Sequence, residues 1–353
     1  PADPVAPTRH NRFRFGAWAI LGAALLVSTP ALWAAVLERP AQEETAQDPQ
    51  EKAADDKDQG EVSAVRAAYD AAIAQWKERL KRLRDLRVEY ATTVDKEKVK
   101  GIEENWKKTI DEVNASLPDL IDKAEAAYKE SPNTDPQLSS FIYKIIEDAY
   151  KRDDVDLVLR LSEVLIQGEA DYNGVFDMAG YAAYCLNDFD KAKEYLEKAQ
   201  SLGVLSSVGE DSLGSLETVR KNWEEEVAIR AKEADDAVSP DQLLPRVLLV
   251  TSVGEIELEL FENEAPETVG NFISLVESGF YTNQIFHRVI PHFMVQGGCP
   301  KGNGQGDPGY SIYCEVDKPG ARKHFRGTLS MAKLQARDTG GSQFFLCLRP
   351  TPH

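Results

Sequence analysis

The spacing of apolar residues changes at Pro245, and this change restricts the fold more than any other feature of the sequence. Before Pro245, apolar side chains recur every three or four residues, as on one face of an α-helix. After it, residues 255–260 alternate glutamates with Ile256, Leu258 and Leu260, as in a strand with one solvated face. The sequence therefore predicts a multidomain protein, all-α first and antiparallel β afterwards.

The negative charge is concentrated in one part of the chain. The 353 residues carry 41 Lys or Arg and 59 Asp or Glu, a formal net charge of −18. Residues 1–37 carry a net +2, residues 38–245 carry −19, and residues 246–353 carry −1. The excess of acids argues against nucleic-acid binding, because phosphates are neutralised by clustered Lys and Arg. The four cysteines contain no C-x-x-C pair, so no zinc site or redox motif is predicted.

Residues 1–37 resemble an export leader. Residues 15–37 form a run without charge, preceded by Arg9, Arg12 and Arg14. Such a run is long enough to cross a bilayer as an N-terminal membrane anchor, with the cations on the cytoplasmic side. Pro30 and a cleavage point at Ala34 are equally consistent with a secretory signal peptide. Either reading predicts an exported, periplasmic or membrane-anchored protein whose domains lie on the outer side of the membrane, and a bacterial source.

Residues 38–60 are predicted to be an acidic disordered linker. They hold eight acids, three bases and two prolines, and almost no large apolar side chain. Such a segment cannot offset the entropy of ordering by burying apolar surface.

The helical region, residues 61–238, begins with two apolar stripes. Val62, Tyr69, Trp76, Leu83 and Tyr90 recur every seven residues, and the second stripe comprises Ile102, Trp106, Ile110, Val113 and Leu117. The stripes predict two antiparallel helices packed against each other, with a coiled-coil dimer as the alternative. Residues 116–119 (SLPD) predict the start of a further helix.

A repeat with a spacing of 34 residues follows. Tyr150, Asp154 and Asp156 recur as Tyr184, Asp188 and Asp190, and each set precedes an amphipathic helix. The spacing is typical of a helical solenoid. In the second copy Gly180, Ala192, Leu196 and Ala199 resemble the small and large positions of the tetratricopeptide repeat. The resemblance predicts a tetratricopeptide-like scaffold that can bind a protein partner.

Residues 246–353 carry the strongest motifs. The patterns at 247–251 and 255–260 predict two short strands that form a hairpin, and residues 268–277 predict a helix. This combination is typical of an antiparallel β-barrel. The segments 281–298 (YTNQIFHRVIPHFMVQGG), 327–332 (GTLSMA) and 341–345 (GSQFF) resemble the cyclophilin family of peptidyl-prolyl isomerases. The resemblance implies a cyclophilin-type barrel that is incomplete at its C-terminus, so we expect the natural protein to continue beyond His353.

The resemblance also implies a set of site residues. Arg288, Phe293, Gln296 and Phe345 match the family's catalytic positions. Met294, Met331, Ala332, Gln343 and His353 match substrate-binding positions, although His353 stands where animal cyclophilins carry a Trp, which puts cyclosporin sensitivity in doubt. The family uses no cofactor and no metal, and His287 and His292 are poorly spaced to share an ion. In an oxidising compartment, Cys299 with Cys314 is the disulfide to test.

The predicted function is that of a peptidyl-prolyl cis-trans isomerase that accelerates X–Pro bond rotation during protein folding. Arg288 would stabilise the twisted prolyl nitrogen non-covalently, beside an apolar proline pocket. The partners would be proline-containing polypeptide clients, the membrane if the leader is uncleaved, and no nucleic acid. The alternative is a client-binding chaperone or scaffold that uses the helical repeats, with the barrel as a low-activity proline-binding module.

Overall fold

A computed structural model describes residues 63–236 and 244–351, and the backbone of residues 11–14. The helices are α1 (Ala64–Thr92), α2 (Lys96–Glu130), α3 (Pro136–Lys151), α4 (Val155–Gln167), α5 (Val175–Cys185), α6 (Phe189–Ser201), α7 (Ser207–Asp236) and α8 (Pro266–Glu277). The strands are β1 (Asn11–Arg14), β2 (Arg246–Thr251), β3 (Gly254–Glu259), β4 (Arg288–Ile290), β5 (Met294–Gly297), β6 (Leu329–Met331) and β7 (Phe344–Cys347). The described residues divide between two compact units, one that ends at Ala179 and one that begins at Gly180 and includes β1.

The predicted leader segment 15–37 and the linker 38–60 lie outside the described residues. Within the described ranges, no helix is both long and apolar enough to cross a membrane. The predicted domain boundaries remain predictions.

The predicted helical hairpin is present in the first unit. Ser63 caps α1 by accepting a hydrogen bond from the Arg66 amide, and Asp95 caps α2 in the same way from Glu97 and Lys98. The apolar stripes form the seam between the helices, with these buried residues: Tyr69, Trp76, Leu80, Leu83, Leu86, Ile102 and Val113. Tyr90, at the end of α1, is half-exposed, so the predicted stripe ends before it.

The predicted helix start at residues 116–119 is wrong, because α2 continues through Pro118 to Glu130. A proline inside a helix removes one backbone hydrogen bond and costs about 3 kcal/mol. The seam continues beyond it, since Leu120, Ile121 and Ala124 are buried. Each fully buried Leu or Ile contributes roughly 1.5–3 kcal/mol, so their burial outweighs the cost of the proline.

The two copies of the 34-residue repeat fold alike at their turns. Asp154 caps α4 and Asp188 caps α6, each accepting a hydrogen bond from the amide three residues later. The residue before each cap, Asp153 or Asn187, has a positive φ of 57° or 62°. The repeated Asp thus marks a recurring turn into a helix, while membership of the tetratricopeptide family remains a prediction.

Gly180 is needed where α5 approaches α6. A Cβ atom at this position would lie 2.6 Å from Cγ of Leu196, and Ala192, Leu196 and Ala199 are fully buried. The expected pairing of a small residue with Leu196 is therefore present in the structure.

The second unit contains two sheets. The predicted hairpin is confirmed: β2 and β3 are antiparallel, with Val247 opposite Leu258, and β1 adds to β2 in parallel. The second sheet has the strand order β4-β5-β7-β6, with antiparallel neighbours throughout. Its Phe344 joins the core formed by β2, β3 and α8, which includes Leu249 and Phe272.

The predicted incomplete barrel is seen in part, since the described strands do not close into a barrel. The strands make one sheet of three and one of four, and these sheets do not join into a barrel. The alternation in β3 is also only partly realised, since Leu258 and Leu260 are buried whereas Ile256 is partly exposed. The fold that the resemblance implies is therefore present in part, as two sheets and the helix α8.

The carboxylate of Glu315 caps the start of α8. Both oxygens of Glu315 accept hydrogen bonds from the first turn of α8, from the amides of Glu267 and Thr268 and the hydroxyl of Thr268. Burial acts to raise the pKa of Glu315, but Lys318 and the Thr268 and Glu267 donors outweigh it and hold the pKa below its ordinary value. The ionised carboxylate therefore stabilises the start of α8.

Arg322 joins α7 to the sheets of this unit. Its side chain is 5 % exposed and forms ion pairs with Glu226 and Glu233 of α7, and a longer one with Glu264. Its guanidinium carbon lies 4.1 Å from the centroid of the Phe261 ring. Burial alone would lower the pKa of Arg322, but Glu226 and Glu233 raise it overall. Arg322 is therefore held as a buried, fully charged cation.

Candidate functional site

Four residues from four strands form one line across the second sheet. Arg288 of β4 is opposite Gln296 of β5, Gln296 is opposite Phe345 of β7, and Phe345 is opposite Ser330 of β6. Residues in register on neighbouring strands project from the same face of a sheet. We call Arg288, Gln296, Phe345 and Ser330 the cross-strand row. The structure thus brings together three of the four residues predicted to be catalytic.

A chain of hydrogen bonds connects the arginine of the row to a loop. Arg288 Nη1 donates to Gln296 Oε1 at 3.4 Å, and Gln296 Nε2 donates to Gln343 Oε1 at 2.9 Å. Gln343 Nε2 donates in turn to the carbonyl oxygens of Gly304 and Gly306, both at 2.9 Å. The loop therefore fixes Gln343, which orients Gln296 beside the exposed Arg288.

Three of the other predicted site residues, Met294, Phe293 and Ala332, adjoin the row or its chain of hydrogen bonds. Met294 is buried two residues before Gln296 and lies opposite Cys347, on the same face as the row. Phe293 is half-buried, and its carbonyl accepts a hydrogen bond from the Leu348 amide at 2.9 Å. The Ala332 amide donates to the Gln343 carbonyl at 2.8 Å, which places Ala332 beside the polar chain.

Met331 lies on the other face of the sheet. It is opposite Phe344, the core residue that neighbours Phe345, and side chains alternate between faces along a strand. A cavity of about 640 Å³ is lined by Met331, Phe344 and Phe272 among others, and also by Ser330 of the row, but not by Arg288, Gln296 or Phe345. The structure therefore places Met331 on the face opposite the row, at the wall of this cavity.

A glycine at the end of the first motif supports this arrangement. Gly298 has a φ of +79°, and a Cβ atom there would lie 2.3 Å from the Ser342 carbonyl oxygen. Only glycine fits, because both the conformation and the space exclude a side chain. The close approach holds the end of β5 against the residue that precedes Gln343.

Two histidines adjoin the site. Burial, and then the charge of Arg288, lower the pKa of His287, so this imidazole is neutral near pH 7. His324 contacts Phe345 edge-to-face, with ring centroids 5.7 Å apart. His324 could not be predicted from the sequence, because it lies 21 residues from Phe345 and no spacing motif links the two.

The predicted pairing of Cys299 with Cys314 is not formed, since both are free thiols. The buried Cys299 sulfur instead accepts a hydrogen bond from the Gly306 amide at 3.2 Å. Burial acts to raise the pKa of Cys299, but the surrounding backbone N–H groups outweigh it and lower the pKa. The loop that holds Gln343 is thus closed by an N–H···S contact rather than by a disulfide.

His353 lies outside the described residues, so its predicted contact with substrate remains a prediction. Across residues 63–236 and 244–351, no group of three or more His, Cys, Asp or Glu side chains is placed to hold a metal ion.

Comparison with known proteins gives one family for this part of the chain. The family described as cyclophilin type peptidyl-prolyl cis-trans isomerase/CLD matches residues 246–353. The chain is 54 % identical over 111 residues to a peptidyl-prolyl cis-trans isomerase of Synechococcus elongatus, which covers 31 % of this chain and 73 % of the relative. It is 50 % identical over 105 residues to peptidyl-prolyl cis-trans isomerase B of Bacillus subtilis, covering 30 % and 72 %.

Other relatives are covered less fully. A peptidyl-prolyl cis-trans isomerase of Helicobacter pylori is 54 % identical over 103 residues, and the chain spans 62 % of its length. Among solved structures, a cyclophilin-type isomerase of Cryptosporidium parvum, crystallised in the presence of the dipeptide Ala-Pro, is 37 % identical. The match has a TM-score of 0.29 and covers 31 % of this chain and 70 % of that one.

Proposed function

We propose that this chain, which belongs to the cyclophilin-type peptidyl-prolyl cis-trans isomerase family, accelerates X–Pro bond rotation in polypeptide clients and uses its cross-strand row to do so. The observation that carries the mechanism is the row itself. It places a cation, a polar positioning residue and an aromatic ring side by side on one face of a sheet.

The reaction requires stabilisation of a twisted bond and no nucleophile. Resonance into the amide gives rotation about a peptide bond a barrier of about 18–20 kcal/mol. In the twisted transition state the prolyl nitrogen recovers its lone pair and can accept a hydrogen bond, which it cannot do in the planar ground state. A donor aimed at this nitrogen therefore lowers the barrier selectively.

Arg288 would be this donor. It is exposed, so a substrate can reach it, and its guanidinium is always charged and donates in a rigid fork. Gln296 accepts from one of its nitrogens and leaves other N–H groups free to turn towards the substrate. We assign Gln296 and Gln343 as positioning residues, since each is held by the next member of the chain.

The apolar part of the site would hold the proline ring. Phe345 and Met294 lie on the same face as Arg288, and Phe293 adjoins Met294 in the chain. Burying a side chain the size of proline against such groups contributes on the order of 1–2 kcal/mol. Proline-containing segments are therefore the proposed substrates, with Ala332 leaving room for the residue that precedes the proline.

The experiment is a proline-limited refolding assay with the full chain and the Arg288→Ala variant. We expect the variant to lose about 10²-fold or more of the acceleration, as when one transition-state donor is removed. Arg337→Ala is the matched control, because Arg337 is exposed, pairs with Asp317 at the surface and lies outside the row. Equal acceleration by wild type and Arg288→Ala would contradict the role of Arg288. No acceleration by either would favour the alternative, a scaffold whose barrel binds proline with little turnover.

We propose that the chain is exported, on the grounds of the charge-free residues 15–37 and the cations before them. Protease protection of the isomerase domain in intact cells tests this. Digestion only after the envelope is opened fits export, whereas fractionation with the cytoplasm contradicts it.

A further inference from the structure

The half of the α1–α2 hairpin nearest its turn is cationic, although the chain is acidic. Residues 77–108 carry eleven Lys or Arg and seven Asp or Glu, whereas the whole chain has a net charge of −18. This region lies outside the cross-strand row. The positions of its charged residues are defined relative to the seam between α1 and α2.

The cations follow the seam residues by one position. In α1, Lys77 follows Trp76, Lys81 follows Leu80, and Arg84 follows Leu83, and all three seam residues are buried. In α2, Lys100 follows Val99 and Lys107 follows Trp106, while Lys96 precedes Lys100 by one turn. One position along a helix is a rotation of about 100°, so in both helices these cations lie to the same rotational side of the seam.

The two rows of cations share one broad face of the hairpin. In antiparallel helices that pack along a seam, positions on the same rotational side of the seam lie on the same face of the pair. We call the following residues the cationic face: Lys77, Lys81, Arg84, Lys96, Lys100 and Lys107. Glu103 lies on it too, whereas Glu78, Asp85 and Glu89 recur on another side of α1.

All six cations of this face are exposed. None of their side chains forms an ion pair or a hydrogen bond with any residue that the structure describes, whereas Arg66, nearer the start of α1, pairs with both Asp70 and Asp135. The face therefore presents net positive charge along about 10 Å of α1 and about 16 Å of α2.

Exposed apolar residues adjoin the cationic face at the turn. Val88 is 65 % exposed, Tyr90 49 % and Val94 94 %. Val88 follows Lys77, Lys81 and Arg84 at helical spacing, so it extends their row towards the turn. Cations beside exposed aliphatic and aromatic residues are the combination that binds the interface of an anionic bilayer.

We propose that the cationic face and the adjoining turn bind the surface of an anionic lipid bilayer. Lys and Arg near such a surface each contribute about 1 kcal/mol, and the exposed valines add apolar contact. The acids elsewhere in the chain oppose this little, because charges more than about 8–10 Å away are screened at physiological salt. A nucleic acid fits less well, since it would leave Val88 and Val94 without an apolar partner.

The test is co-sedimentation of the full chain with two kinds of vesicle, pure phosphatidylcholine and phosphatidylcholine mixed with phosphatidylglycerol. We expect tighter binding to the anionic vesicles, weakening as salt is added. The triple variant Lys77→Gln, Lys81→Gln, Arg84→Gln should bind them about 10²-fold more weakly, at about 1 kcal/mol for each charge. Residues 9–37 are shared by every variant, so any contribution of theirs cancels in this comparison.

The matched control neutralises three acids of the same helix: Glu78→Gln, Asp85→Asn and Glu89→Gln. It should bind anionic vesicles at least as tightly as wild type. A second triple, Lys96→Gln, Lys100→Gln, Lys107→Gln, tests the other helix independently and should weaken binding similarly. Unchanged binding by both cation triples, equal loss in the acid triple, or displacement of the protein from vesicles by equimolar charge of duplex DNA or polyglutamate would overturn the proposal.

Discussion

Cations serve opposite purposes in the two units. Arg322 is 5 % exposed and is matched by three carboxylates and an aromatic ring, so its effect comes from one set of contacts at one point. The six cations of the hairpin face are exposed and unmatched within the described residues, so any effect on a partner comes from their sum. The difference predicts how each region responds to mutation: sharply at single residues in the unit that holds the sheets, and gradually in the hairpin.

The largest expected effect is that of Arg322→Ala on stability. Removing this side chain leaves Glu226, Glu233 and Glu264 without their cation, and breaking a buried pair costs about 3–5 kcal/mol. Urea unfolding followed by near-ultraviolet circular dichroism measures this loss. Arg337→Ala should cost under about 1 kcal/mol, since its pair with Asp317 is exposed. Similar losses of stability in Arg322→Ala and Arg337→Ala would contradict the expected difference between a buried and an exposed arginine.

The next largest expected effect is on isomerase activity. It distinguishes the shape of the Arg288 guanidinium from its charge. Arg288→Lys keeps the charge but loses the rigid fork that both Gln296 and the prolyl nitrogen require, so we expect a fall in isomerase activity of about 10²-fold. Arg84→Lys, by contrast, should leave vesicle binding unchanged, because a summed charge does not depend on the shape of its carriers. Full activity of Arg288→Lys in the refolding assay would contradict a directional role for the guanidinium.

A pH dependence of stability should arise from the cap of α8. The pKa of Glu315 is below its ordinary value of 4.5 in the folded protein, so its contribution is complete above about pH 5 and is lost as the pH falls through the lowered value. Glu315→Gln should cost about 1.5–3 kcal/mol near pH 7 and less near pH 3. Glu277→Gln at the exposed end of the same helix is the control and should change stability little at either pH. A Glu315→Gln loss that does not shrink in acid would show that the charge is not what stabilises the cap.

The smallest effect should come from a single cation of the hairpin. Lys81→Gln removes one of six similar charges and should weaken binding to anionic vesicles about fivefold, from about 1 kcal/mol per charge. Co-sedimentation detects a change of this size. A loss of binding as large as that of the triple variant would show that Lys81 occupies a specific site. The hairpin would then respond sharply to a single mutation, as we expect of the unit that holds the sheets.

The sequence predicted those parts of the structure that depend on local spacing. The seam of the hairpin, the β2–β3 pair and the helix α8 follow from periods that a few neighbouring residues define. The candidate site was predicted from the order of the motifs, and the structure aligns Arg288, Gln296 and Phe345 in one row, while their roles remain predictions.

What the sequence did not reveal depends on partners far along the chain. Glu315 caps a helix that begins 49 residues earlier, and Arg322 pairs with Glu226 across 96 residues. Neither contact follows a spacing along the sequence from which it could be predicted. The error at Pro118 has the same origin, because the proline was read by its local preference, whereas the burial of Leu120 and Ile121 decides the outcome.

The cross-strand row has a consequence for insertions and deletions. Its four members come from four different strands, so the row exists only while all three strand pairs keep their register. Adding or removing one residue within β5 or β7 would turn that strand's side chains to the opposite face, carrying Gln296 or Phe345 into the core and Val295 or Phe344 to the surface. Under the proposed function, correct strand pairing and catalysis are a single requirement on these strands, and length changes should be tolerated only in the loops between them.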